Sequence, residues 1–178
     1  MSAAHTVHRR QKGRGTRLKD YLPLAVIIVL ALLAATALQS RESLWQWMGW
    51  MHDFMGIFLV MFSMFKFFDL PGFADGFQMY DLLAKPFRPY AYVYPFIELA
   101  LGLGYLAHWR PEIVYAATVV VMLFGAAGVV GALVKGLDLE CACMGTVLHV
   151  PLSTVALLED GGMAIMAGAM MAASIGGA

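Results

Sequence analysis

IVYAATVVVMLFGAAGVVGALV, residues Ile113–Val134, carries no charged side chain from one end to the other. The hydrocarbon layer of a bilayer is ~30 Å thick and a helix rises ~1.5 Å per residue, so ~20 apolar residues in a row cross it. Four more stretches read the same way: Tyr21–Leu38 (YLPLAVIIVLALLAATAL), Trp45–Phe68, Tyr90–Trp109 and Leu152–Ile175. None has the alternation over ~10 residues that marks a strand of a membrane barrel. The predicted fold class is therefore all-α, a polytopic membrane helical bundle. Residues 1–20 form a basic tail, 21–40 hold one extra N-terminal span, and 45–175 form a four-span membrane domain.

Composition excludes the soluble alternative. Hydrophobic residues are 61% of the 178 and charged residues 13%, against ~45–50% and ~25% in soluble domains. Net charge is zero, but six of the twelve Lys and Arg precede residue 20: Arg9, Arg10, Lys12, Arg14, Arg17 and Lys19. Such a tail faces anionic lipid on the cytoplasmic side of a bacterial inner membrane. No folded reader or aromatic platform accompanies it, so the expected partner is the lipid bilayer and not nucleic acid. The first span also has the shape of a secretory signal, with Ala35, Thr36 and Ala37 at the cleavage position. Retained or cleaved, it leaves residue 40 outside.

With the tail inside, Lys66, Lys85, Arg88 and Lys135 face in, and Arg41 and Arg110 face out. Trp45, Trp47, Trp50 and Trp109 fall near outer span ends and Tyr90, Tyr92 and Tyr94 at an inner end, as interfacial aromatics do. Between spans two and three, Phe73, Phe77 and Tyr80 recur at helical spacing. This predicts a short helix, Gly72–Lys85, lying on the inner surface and ended by Pro86 and Pro89. Glycines 102, 125, 128, 131, 161, 162 and 168 are expected at helix contacts, where small residues let backbones approach.

Chemistry concentrates in few residues. Cys141-Ala142-Cys143, followed by Met144, contains the only two cysteines and falls between the last two spans. Two thiols so close can cycle between dithiol and a small, strained disulfide, or clamp a soft metal such as Cu(I). They can also be loop residues without a role. Two thiols alone do not complete a structural zinc site. Glu98, Glu159 and Asp160 lie at membrane depth, where a carboxylate costs of order 3 kcal/mol and faces the bundle interior. Glu98 and Asp160 can share a proton, accept a cation or pair with Lys66. Lys66 itself is expected to snorkel to the inner interface as an anchor, or to pair with Asp69 one turn on. Met48, Met51 and Met55 share one helix face beside His52, and Met48, Met51 and His52 with Met144 supply thioether and imidazole ligands for a Cu(I) alternative. No Walker loop, dinucleotide glycine signature, H-E-x-x-H or haem attachment motif occurs, which argues against an ATPase or a conventional hydrolase.

Three segments carry a family likeness: FSMFKFFDLPGFADGFQMYDLL (Phe62–Leu83), YPFIELALGLGYL (Tyr94–Leu106) and CACMGTVLHVPLSTVALLED (Cys141–Asp160). Over about residues 50–174 the chain resembles the MauE/DoxX-like family, MauE being the methylamine utilisation membrane protein. Within it the chain looks most like a branch often fused to a heavy-metal-associated domain, whose metal-binding cysteines are not among the residues before Tyr21. The resemblance implies a four-helix DoxX-like core. It also implies a role in maturation, transport or redox handling of an exported protein, with a link to the methylamine dehydrogenase small subunit. By position, Cys141 and Cys143 match the family's cysteine pair and Glu98 its third-span glutamate.

Three functions follow as expectations. The first is a membrane thiol protein in which Cys141 and Cys143 exchange electrons with a redox partner or exported client, while Glu98 and Asp160 tune protons nearby. The second is a soft-metal binding or transport protein, and the third an assembly factor without chemistry. Disulfide chemistry of exported proteins belongs outside, whereas the charge bias puts this pair inside. An inside location suits a reductant relay or capture of cytosolic metal.

Overall fold

The computed structural model describes residues 21–41, 44–135 and 152–176. The fold is all-α, as predicted, and no strand occurs among the described residues. The helices are α1 (Leu22–Gln39), α2 (Trp47–Phe68), α3 (Leu70–Gln78), α4 (Arg88–Leu106), α5 (Pro111–Val134) and α6 (Leu152–Gly176). Three segments are long and apolar enough to cross a membrane by length and composition: Trp47–Phe68, Pro111–Val134 and Val155–Gly176. The five-span expectation thus meets that measure in three helices. In α1 the apolar part is the shorter Leu24–Gln39. In α4 the hydropathy is diluted by Arg88, four tyrosines, Pro95 and Glu98.

Large apolar side chains are exposed while several ionisable ones are buried in the core. Val26, Val29, Leu33, Val120, Leu123 and Ile165 are exposed, while His52, Asp53, Lys66, Glu98, Glu159 and Asp160 are buried. Apolar side chains outside and ionisable ones inside are what a hydrocarbon solvent selects, since lipid accepts the former and penalises the latter.

Helix α1 lays Leu24, Ile27, Ala31 and Ala35, spaced three or four apart, into the interior and packs on α2. Trp50 Nε1 donates to Thr36 Oγ1 at 3.1 Å across that contact. Helices α2 and α4 cross where Gly56 meets Gly102. A Cβ on Gly102 would come within 3.0 Å of Gly56 O and of Val60 N. Helices α5 and α6 form the other extended pair. The expectation for glycine holds at positions 102, 125 and 128, where a Cβ would strike a neighbouring element. It fails at Gly131, Gly161, Gly162 and Gly168, where a Cβ would meet nothing described within 4 Å. Glycine is common in membrane helices and does not by itself mark a contact face.

The segment between α2 and α4 differs from its prediction. Helix α3 starts earlier, at Leu70, because Asp69 Oδ1 accepts the Gly72 N–H at 3.0 Å and caps it. It stops at Gln78, since Asp81 Oδ1 accepts the N–H groups of Leu83 and Ala84, both at 2.8 Å, and holds a turn in place of helix. Its aromatic face does not rest on a surface. Phe73, Phe77 and Tyr80 are buried; the Phe73 ring stacks on Tyr94 of α4 at 6.1 Å and the Phe77 ring lies tilted against it at 4.5 Å. The chain at Tyr80 and Asp81 then runs against α5 at Gly128.

Two predictions follow. Gly102→Leu overpacks the α2–α4 crossing and should cost about 1–3 kcal/mol, read from unfolding of the purified protein in detergent. Burial raises the Asp81 carboxyl above the usual aspartate range, with the N–H groups of Ala84 and Leu83 and the charge of Lys85 acting against it. The folded state therefore holds a proton that the unfolded chain has given up, and this favours folding below the unfolded value, about 3.9. That contribution should be lost as pH rises from there through the folded value, whereas Asp81→Asn should flatten this part of a melting-temperature profile against pH.

Candidate functional site

Lys66 decides where the site lies. It sits in the last turn of α2, where a snorkelling anchor was expected, yet it is only 2% exposed. Its ammonium group donates to Glu98 Oε1 of α4 and, at 3.1 Å, to Glu159 Oε1 of α6. The expected Lys66–Asp69 pair gives way because the Asp69 carboxylate is spent on capping α3. The inward turn follows from energetics: a buried carboxylate left alone in the bundle costs more than the ordering of one lysine side chain.

The walls are aromatic. Lys66 Nζ lies 5.9 Å from the centre of the Phe62 ring, 5.6 Å from Phe73 and 5.2 Å from Tyr94. Each distance is within cation–π range. Four elements thus converge: α2 with Lys66 and Phe62, α3 with Phe73, α4 with Tyr94 and Glu98, and α6 with Glu159. Asp160 is beside them, 6% exposed. Its Oδ2 would stand 2.5 Å from a Cβ on Gly125, so α5 makes room for this carboxyl by having no side chain there. Tyr94 has Asp160, Glu98 and Glu159 all as electrostatic neighbours.

Of the predicted residues, Glu98 and Asp160 are both buried and both neighbour Tyr94. Lys66, Glu159, Tyr94 and Phe73 were not assigned to a site. The available signal was two ionisable residues of opposite sign within apolar runs, which commonly pair across helices. Cys141, Cys143 and Met144 lie outside the described residues.

At the opposite end of α2, His52 is buried and its ring bridges two helices. Nδ1 donates to the Tyr105 carbonyl at 3.2 Å, and the Tyr115 hydroxyl donates to Nε2, the tautomer following from the carbonyl acceptor. The His108 ring stacks on it with centroids 4.6 Å apart. Both His52 nitrogens are thus engaged, while Met48 and Met51 on the same helix are partly buried. Among the described residues no group of three or more His, Cys, Asp or Glu side chains is arranged to hold a metal ion.

Removing the cation alone exposes the cost of the cluster. Lys66→Met should destabilise the protein by about 3–5 kcal/mol. Lys66→Met combined with Glu98→Gln should recover a measurable part of that loss in a double-mutant cycle read by unfolding in detergent.

A family model described as methylamine utilisation protein MauE matches residues 48–173. That stretch takes in α2 through most of α6, and with it every member of the Lys66 cluster. No curated protein and no solved structure shows significant similarity. The match covers well over half of the chain, and with its apolar spanning helices this protein belongs to the MauE family of methylamine utilisation membrane proteins.

Proposed function

We propose that the protein serves methylamine utilisation as an inner-membrane thiol protein that acts on an exported client, the methylamine dehydrogenase small subunit being the client the resemblance implies. Cys141 and Cys143 are the exchanging pair. Exchange between a client's two cysteines and this pair moves two electrons and two protons and conserves one disulfide. A thiolate attacks one sulfur of the disulfide, a mixed disulfide forms, and the second thiol resolves it. The protons released by one pair are taken up by the other, so acid–base groups near the exchange are useful to it.

The observation that carries this reading is the position of the acidic residues on α6. Helix α6 follows the connection bearing the cysteines, and Glu159 lies seven residues into it, about 10 Å along the axis. There it enters a buried cluster in which two carboxyls, Glu98 and Glu159, share one lysine, and the next residue, Asp160, is buried as well. A merely structural ion pair needs one carboxylate for each ammonium. Glu98 and Asp160 are the groups we assign to proton handling, with Lys66 and Glu159 as their partners.

Cys143→Ser should trap a mixed disulfide between Cys141 and its client, visible as a reducible adduct on non-reducing gels of cells grown on methylamine. The double variant Cys141→Ser, Cys143→Ser should form no adduct and should lower the yield of disulfide-bonded small subunit several-fold. Wild-type yield and growth in the double variant would sink the proposal. So would stoichiometric Cu(I) binding by the purified protein that is lost in the double variant without any change in client disulfides.

A further inference from the structure

The charge count in the bundle does not close. Lys66, Glu98, Glu159 and Asp160 are 2%, 0%, 2% and 6% exposed. One ammonium set against the two carboxylates that it bonds, Glu98 and Glu159, would leave a surplus negative charge at that contact if both were ionised, an arrangement that proteins avoid by binding a cation or by keeping a proton. No metal-holding arrangement of side chains occurs among the described residues, and the Lys66 ammonium already bonds to both Glu98 and Glu159.

A second observation says where a proton belongs. Glu98 uses Oε1 for Lys66, whereas its Oε2 is fully buried and has no hydrogen-bond partner. Glu98 and Glu159 are also within hydrogen-bonding reach of each other. Two carboxylate oxygens at that separation repel. A carboxyl and a carboxylate at the same separation form a hydrogen bond, and two acids sharing one proton is how such pairs are stabilised elsewhere.

We propose that Glu98 and Glu159 form a proton-binding site inside the bundle, a carboxyl–carboxylate pair that shares one exchangeable proton beside the Lys66 ammonium. With the proton in place, α4 and α6 are joined both by the shared proton and through Lys66. When it leaves, both carboxylates compete for the ammonium and the α4–α6 contact is left to Lys66 alone. Lys66 faces this pair from α2 and Tyr90 and Tyr94 face it from α4; the two tyrosines have Tyr80 and Asp81, from the turn after α3, and Asp160 of α6 as their own electrostatic neighbours. Helix α5 presents Gly125 to Asp160 and so adds no ionisable group at that contact. The site does not depend on the cysteines.

Infrared difference spectroscopy of the full-length protein in lipid nanodiscs tests this directly. At neutral pH the wild type should show the carbonyl stretch of a protonated carboxyl, separate from carboxylate bands and displaced in D2O. Glu98→Gln and Glu159→Gln, each close to isosteric, should both remove or shift that band. The double variant Cys141→Ser, Cys143→Ser should keep it, so a failed thiol reading and a failed proton site give different results. The proposal is overturned if the wild type lacks the band at neutral pH, or if either glutamine variant leaves it unchanged.

Discussion

A lysine ammonium cannot sit unpaired in hydrocarbon, and neither can a carboxylate; much of this bundle follows from satisfying Lys66, Glu98 and Glu159 together. The three side chains come from α2, α4 and α6. Their attraction acts with little screening because the surroundings are protein and lipid instead of water. Pairing also fixes register. A shift of α4 by one residue relative to α2 would rotate Glu98 by about 100° and strand both partners. Hydrophobic burial cannot supply this selectivity in a membrane, since lipid tails are as apolar as the helix surfaces.

The rest of the architecture makes that cluster possible. Close approach of α2 to α4 needs Gly56 and Gly102, because any side chain at either would enter the opposing backbone. Asp160 needs Gly125 because a Cβ there would strike its carboxyl group. Helix α3 folds back so that Phe73 and Phe77 pack against Tyr94, and Phe73 closes the aromatic wall around the ammonium. This lining excludes water, and exclusion of water strengthens the ionic contacts inside. Capping of α3 by Asp69 thus has a consequence beyond its own helix: it places the aromatic wall and leaves Lys66 to seek its partners further in.

The His52 end shows a different use of polarity. Its ring joins the Tyr105 carbonyl of α4 to the Tyr115 hydroxyl of α5. No formal charge is needed there, and a neutral imidazole satisfies two buried groups at once. The two ends of α2 therefore carry contrasting chemistry, a neutral hydrogen-bonded bridge at one and an ion cluster with surplus acid at the other. Surplus acid is the harder arrangement to maintain by packing alone, and for that reason the functional reading rests on it.

The sequence alone determined the solvent and the class of fold. Runs such as Ile113–Val134 have no stable place except as helices in a bilayer, and the Phe62–Leu83, Tyr94–Leu106 and Cys141–Asp160 segments pointed to the family. Glu98 and Asp160 were legible because an acid within an apolar run is costly wherever it points. What Lys66 does was not legible. A lysine near a helix end can reach the interface or the interior, and the choice depends on whether a carboxylate from another helix waits within reach. Only the tertiary structure decided that, by bringing residues 66, 98 and 159 together. It also decided which glycines matter, because small size permits contact but only a neighbour's position makes it necessary.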